Sequence, residues 1–166
     1  MEILKERVPF NEVLAHFEEE HTGWEGYKIG LIYLHDANQR WQGKWTLVLL
    51  SRADIASVML PAHNHTIEVI PPSGSSVADA ARRLKCLPKE QMQNCWQRIC
   101  GINDRDFSQM HLALEFENGI LKHVDGVHRL LAYEHFQKEE PVLAYVAGVV
   151  PSSEADLTRE VEPATG

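Results

Sequence analysis

The chain is poor in basic residues, in cysteine and in long apolar runs, and each shortage removes a class of function. Its 16 Lys and Arg face 24 Asp and Glu, a formal charge of -8. Non-specific nucleic-acid binding relies on neutralising phosphates with Lys and Arg, so this balance argues against it. It equally disfavours an anionic membrane surface. It leaves room for a small anionic ligand held in one local basic pocket. No apolar stretch approaches the roughly 18 residues that a membrane span needs. The opening MEILKERVPF lacks the apolar run of a secretory signal. A soluble cytoplasmic protein is expected. There are 3 cysteines, Cys86, Cys95 and Cys100, in segments that read as helix and without a CxxC spacing. They read as reduced thiols packed as small hydrophobes. No internal repeat is visible.

What remains is an ordinary globular composition. A chain of 166 residues with 44% hydrophobic side chains buries about two thirds of the surface exposed by its unfolded state. It is too short for two enzymatic domains. Residues 1–150 read as a single globular domain. Pro151 to Gly166 is rich in Glu, Ser, Thr and Pro, has only Leu157 and Val161 as aliphatics larger than Ala, and reads as a flexible acidic tail.

Along the chain, Glu2 to Val8 predicts a short strand. Asn11 is a candidate cap for a helix whose face is Val13, Leu14 and Phe17, ending in the acidic run Glu18, Glu19, Glu20. Thr22 to Tyr27 reads as loop. Lys28 to Leu34, Trp45 to Leu50 and Thr66 to Ile70 are strand candidates, the last stopped by Pro71 and Pro72. Ser76 followed by Asp79 predicts a capped helix through about Leu87. Pro88 suits the first turn of another, with a stripe of Met92, Cys95, Trp96, Ile99 and Cys100 ended by Gly101. That stripe reads as core. Asn118-Gly119 between His111–Glu117 and Ile120–Val124 is a strong hairpin signal, because a type I′ turn needs positive φ at both positions. A helix from Val127 to about Phe136 and an apolar strand from Pro141 to Val149 close the domain. The fold class is α+β (or α/β), a single domain around a small mixed sheet.

ILKHVDGVHRLLAY, Ile120 to Tyr133, is the most informative segment. A strand runs into Asp125-Gly126, and a helix opens with His128 and Arg129 in its first turn. First-turn amides of a helix are unpaired and carry partial positive charge. Gly126 lets a ligand approach the backbone there, and Arg129 offers a bidentate fork for phosphate or carboxylate. The anion would thus sit on the backbone at Gly126 and Val127, on Arg129, and on Lys122. Asp125, His128 and His123 would move protons or hold a metal. His123, two residues before Asp125, is expected to share its face, and His111 starts the partner strand. Asp125 as a simple N-cap explains its presence equally well.

The Asp125-Gly126-x-His128-Arg129 turn, with Ala132 at a small position on the helix, resembles the signature of the ParB/sulfiredoxin-like superfamily over about Leu112 to Val149. The superfamily includes chromosome-partitioning nucleotide-binding domains, sulfiredoxins and ADP-dependent free-serine kinases. The resemblance implies a phosphate-binding turn, with ATP or ADP and Mg²⁺ as the implied cofactors. Val127 stands where sulfiredoxins have their catalytic Cys, so that chemistry is not implied. The basic helix-turn-helix domain of the partitioning proteins has no counterpart. A kinase-like reading would draw on Asp125, Glu115 and Glu117 for Mg²⁺, with Lys122, Arg82 and Arg83 as further cations. The chain also resembles small accessory proteins of bacterial specialised-metabolite pathways.

A second constellation is His63-Asn64-His65 with Glu68. On a strand, residues i and i+2 face one way, so both imidazoles could meet one metal ion and the carboxylate could complete the set. Two solvent-facing histidines are the plainer account. Trp24 and Trp41 are candidates for an aromatic pocket, and Trp45 and Trp96 for the core. The leading functional expectation is a small-molecule enzyme binding an anionic substrate or nucleotide at the DGVHR turn, phosphotransferase-like. The alternatives are a ligand-sensing module, an acid/base enzyme (cyclase or hydrolase) using His128 and Asp125, and a metal-dependent enzyme centred on His63 and His65. A small molecule is the expected partner, and a homodimer is left open.

Overall fold

A computed structural model of the protein describes residues 1–21, 27–62, 69–88 and 93–151. In chain order its elements are β1 (Glu2–Lys5), α1 (Phe10–Glu20), α2 (Tyr27–Arg40), β2 (Trp45–Leu50), α3 (Arg52–Ser57), β3 (Met59–Leu60), β4 (Ser75–Ser76), α4 (Val77–Cys86), α5 (Gln93–Ile102), a 3-10 turn (Phe107–Gln109), β5 (His111–Glu117), β6 (Ile120–Asp125), α6 (Val127–His135) and β7 (Val142–Gly148). Among the described residues the strands form one 7-stranded sheet in the order β1-β2-β7-β5-β6-β3-β4. β5 lies parallel to β7 and β3 parallel to β6, and the other pairs are antiparallel. The fold is therefore α+β with a mixed sheet, in one domain. No helix among the described residues is long and apolar enough to cross a membrane.

Helices cover both faces of the sheet. One core packs Val48, Leu50, Leu114 and Val146 against Leu84, Ile99 and Leu130 of α4, α5 and α6. The other packs Trp45, Ala113, Val124 and Tyr145 against Val13, Phe17, Leu34 and Ala37 of α1 and α2. β7 is hydrogen-bonded on both sides, which is why its sequence is a nearly unbroken apolar run. Asn118 (φ 52) and Gly119 (φ 78) make the expected turn between β5 and β6. The Ser76 hydroxyl accepts from the Asp79 amide at 3.1 Å and starts α4 as its spacing predicts. Cys86, Cys95 and Cys100 are free thiols, and only Cys95 is buried.

Several elements depart from the sequence reading. Lys28 to Leu34 is not a strand but part of α2. Leu34, Ala37 and Trp41 repeat at helical spacing against the core, while Ile29, Ile32 and Tyr33 face solvent. The helical period sustained over 14 residues outweighs the β-leaning composition of its first half. α1 starts at Phe10 with Pro9 in the capping position, so Asn11 lies in the first turn and caps nothing. Gly101 does not end α5, which runs on to Ile102. No neighbour lies within 4 Å of where its Cβ would be. Val69 and Ile70 form a turn rather than a strand end, held by a 3.0 Å hydrogen bond from the Arg83 guanidinium to the Val69 carbonyl. Trp45 is core as expected, in the α1–α2 layer, and Trp96 packs half-buried against the core on the other face of the sheet. Trp41 is half-buried in the α1–α2 core. Tyr27, expected in a loop, begins α2. Residues 22–26 of that expected loop with Trp24, Met92, residues 66–68 of the expected strand and the expected acidic tail beyond Pro151 lie outside the described residues.

The helical assignment of residues 28–34 separates two neighbouring side chains that a strand would place on one face. Leu34→Ala is expected to cost about 2–5 kcal/mol in urea unfolding and Ile32→Ala less than about 0.5 kcal/mol. Equal costs would show that the segment is not helical.

Candidate functional site

The site is built by an irregularity in the hairpin. β5 and β6 pair in simple register up to Leu114 opposite His123, and the next pair is Ala113 with Asp125. Val124 is thus an extra residue, a β-bulge. Without the bulge His123 and Asp125 would share a face. With it, His123 stands opposite Leu114 on the α4–α6 side, and Asp125 stands with Ala113 on the α1–α2 side. The expectation that these two share a face is therefore corrected: one inserted residue parts them.

Directly after the bulge Gly126 adopts φ 104 and serves as the N-cap of α6. The capping position is Gly126 rather than Asp125, and no side chain caps this end. A Cβ on Gly126 would lie 2.7 Å from Leu112 Cδ2 and 3.2 Å from both Nε and Nη2 of Arg129. The glycine is required by its left-handed backbone and by the guanidinium lying against it. Arg129, one helical turn on, pairs through Nη2 with Asp125 and through Nη1 with Glu20 at the end of α1. Nη1 also donates to the His111 carbonyl at 2.8 Å. One buried cation thereby joins α1, β5, β6 and α6. Burial pushes the Arg129 guanidinium down to about 10, so it remains charged at neutral pH. Gly30 brings α2 close on the other side, where a Cβ would sit 3.2 Å from Asp125 Oδ1.

Three histidines and a tyrosine surround this ion cluster. His21 Nδ1 lies 2.7 Å from the Phe17 carbonyl, its Nε2 lies 3.5 Å from Asp125, and its ring stacks on Phe17 at 4.1 Å. The carbonyl requires a proton on Nδ1, so a neutral ring would turn a lone pair toward a carboxylate. Burial lowers the affinity of His21 for its second proton, but the hydrogen bond and charge of Asp125, with the Phe17 carbonyl, outweigh it, and the pKa is raised. His111 differs. Its backbone amide donates to Glu20 at 2.5 Å, and its ring Nδ1 lies 3.5 Å from the same carboxylate. The ring lies against His16 at 4.2 Å and stacks on Tyr145 at 5.4 Å. Burial lowers its pKa against a weaker opposing charge from Glu19. The Tyr145 phenol is pushed up to about 12 by burial and by Glu12. The small recess bordered by His16, Glu20, His111, Asp125, Arg129 and Tyr145 has room for about one water molecule.

The other residues singled out in the sequence lie elsewhere. His128 Nε2 is 3.4 Å from the Cys95 thiol on α5. Val127 is buried in the α4–α6 core. Lys122 pairs with Glu117. Both oxygens of Glu115 accept from Arg40 at 2.7 Å. Arg82 pairs with Asp79 at 2.6 Å, and Arg83 donates to Ser75 at 2.9 Å. His63, His65 and Glu68 lie outside the described residues. Among the described residues no group of three or more His, Cys, Asp or Glu is arranged to hold a metal ion. Glu20, His21, His16 and Tyr145 were not anticipated from the sequence. One signal was present: three glutamates at a helix C-terminus with no basic residue in the last turn stand against the helix dipole.

The fold and this corner define a three-layered domain with an arginine-braced cluster of ionisable groups. The chain belongs to the DUF6309 family, a family of unknown function, which it matches over residues 1–164. No curated protein and no solved structure matches it.

Removing Arg129 strands two carboxylates among buried groups. Arg129→Met is expected to cost about 3–5 kcal/mol in urea unfolding, whereas Lys122→Met at an exposed pair costs less than about 1 kcal/mol. The two histidines also predict a pH dependence. His21, raised above its ordinary 6.5, stabilises the fold fully below that value, and this is lost as pH rises through the folded pKa. His111, lowered from 6.5, contributes stability above that value that is lost as pH falls through its folded pKa. Thermal unfolding should show His21→Gln flattening the alkaline arm and His111→Gln the acid arm. Unchanged arms in both variants would contradict these assignments.

Proposed function

We propose that this protein is a small-molecule enzyme of the acid/base type, working at the corner where Arg129 braces Glu20 and Asp125. The observation that supports this reading is the pair of imidazoles, His21 against Asp125 and His111 against Glu20, whose proton affinities are displaced in opposite directions within one cluster. Environments that push two titratable groups apart set one up as proton donor and the other as acceptor near neutral pH. His21 is the acid, giving up the Nε2 proton that it shares with Asp125. His111 is the base, neutral and oriented by Glu20 and by stacking on Tyr145. Tyr145, buried and protonated at neutral pH, holds the His111 ring in place by stacking on it. Proton shuttling of this kind suits isomerisation, cyclisation or hydrolysis of a small polar molecule.

The nucleotide reading suggested by the DGVHR turn has less support. A phosphate there would meet two carboxylates already sharing the guanidinium, and no other basic side chain among those proposed for it faces this corner. Asp125 keeps a place in the mechanism, and His128, beside Cys95, has none.

The experiment is a fragment screen followed by NMR of the aromatic rings. Small polar fragments are expected to move the His21, His111 and Tyr145 signals together, with binding that weakens on both sides of neutral pH and is lost in a folded His111→Gln variant. Fragments that collect elsewhere, or a Mg²⁺–ADP complex that shifts these rings and is lost in Arg129→Lys, would replace this reading with another.

A further inference from the structure

The outer face of α2 carries an apolar strip that the rest of the described structure leaves open. Ile29 is 60% exposed, Ile32 59% and Tyr33 54%. The opposite face of the same helix buries Leu34 and Ala37. Exposed apolar residues scattered singly are ordinary, but three large ones at i, i+3 and i+4 adjoin one another on a helix surface. The charges beside this strip are arranged with a particular symmetry. Lys28 lies four residues before Ile32 and Asp36 four residues after it, and both are exposed. At 3.6 residues per turn, positions 28 and 36 fall within about 40° of position 32 around the helix, one on each side.

We infer that α2 is the contact between two copies of this chain, packed antiparallel about a two-fold axis through Ile32. A two-fold interface must be complementary to itself. In this arrangement Ile32 meets Ile32 at the axis, and Lys28 of each copy meets Asp36 of the other. Ile29 packs beside His35. The reversal of charge sign about an apolar centre is what the axis requires. A parallel arrangement would set Lys28 against Lys28 and Asp36 against Asp36. The antiparallel arrangement also opposes the two helix dipoles favourably. A helix of 14 residues presents a contact about 21 Å long. That is small for a permanent interface, so the dimer is one that dissociates on dilution.

Light scattering on the full chain reads the outcome directly. At about 100 µM the mass is expected near twice 18.9 kDa, falling toward the monomer on dilution. Ile32→Glu and Lys28→Asp are each expected to weaken dimerisation by about tenfold or more, and Lys28→Asp combined with Asp36→Lys to restore it to within about threefold. Circular dichroism confirms that each variant is folded. A wild-type mass that stays at 18.9 kDa throughout overturns the inference and leaves the strip to a different partner. A dimer indifferent to Ile32→Glu, or a charge exchange that restores nothing, overturns it as well.

Discussion

A single cation placed between two carboxylates beneath the end of the sheet is the constraint from which the local architecture follows. The side chains of Arg129, Glu20 and Asp125 keep only 11%, 19% and 13% of their exposure. Charges in such a setting must be balanced and hydrogen-bonded, because the cost of desolvating each one is several kcal/mol. The bulge at Val124 turns Asp125 toward the guanidinium, Gly126 makes room for it, Gly30 lets α2 close over the carboxylate, and the end of α1 supplies the second anion. The arrangement is better regarded as a device for register than as a source of net stability, since buried ion pairs often do no better than apolar groups of equal size. It fixes where α1, β5, β6 and α6 meet.

The imidazoles inherit their properties from that clamp. With one cation against two anions the cluster carries a deficit of positive charge. The Asp125 side, where His21 sits, favours an imidazolium that makes up the deficit. The Glu20 side is already engaged by Arg129 and by the His111 amide, and there burial keeps the ring neutral. Two chemically identical side chains thus acquire opposite shifts in proton affinity from the partners they are given. α2 joins this site to the proposed contact between copies. Its inner face closes over Asp125 at Gly30, and its outer face carries Ile29, Ile32 and Tyr33.

Features fixed by local chemistry were legible in the sequence. Asn118-Gly119, the Ser76 cap, the Trp45 to Leu50 strand and the apolar β7 each follow from residues close together in the chain. Asp125 and Arg129 were recognised as belonging together. Their i, i+4 spacing equally encodes the ion pair that the structure contains, and that reading needed no ligand. What was hidden depends on distance or on a single inserted residue. Glu20 meets Arg129 across 109 positions, and no local pattern announces such a pairing. The bulge is one residue in an otherwise alternating strand, yet it decides which histidine faces the cluster. Lys28 to Leu34 reads as a strand because Ile, Leu and Tyr dominate it, and only the spacing of Leu34, Ala37 and Trp41 shows the helix.

The account stands on the Arg129 guanidinium being held by protein groups rather than open to solvent or to an anionic guest. Nitrogen-detected NMR of the arginine side chains at neutral pH measures this for Arg129 directly. Distinct signals for its two terminal nitrogens, with slow rotation and slow proton exchange, are the predicted result. A single averaged signal in rapid exchange with water, like that of an exposed arginine, would contradict it.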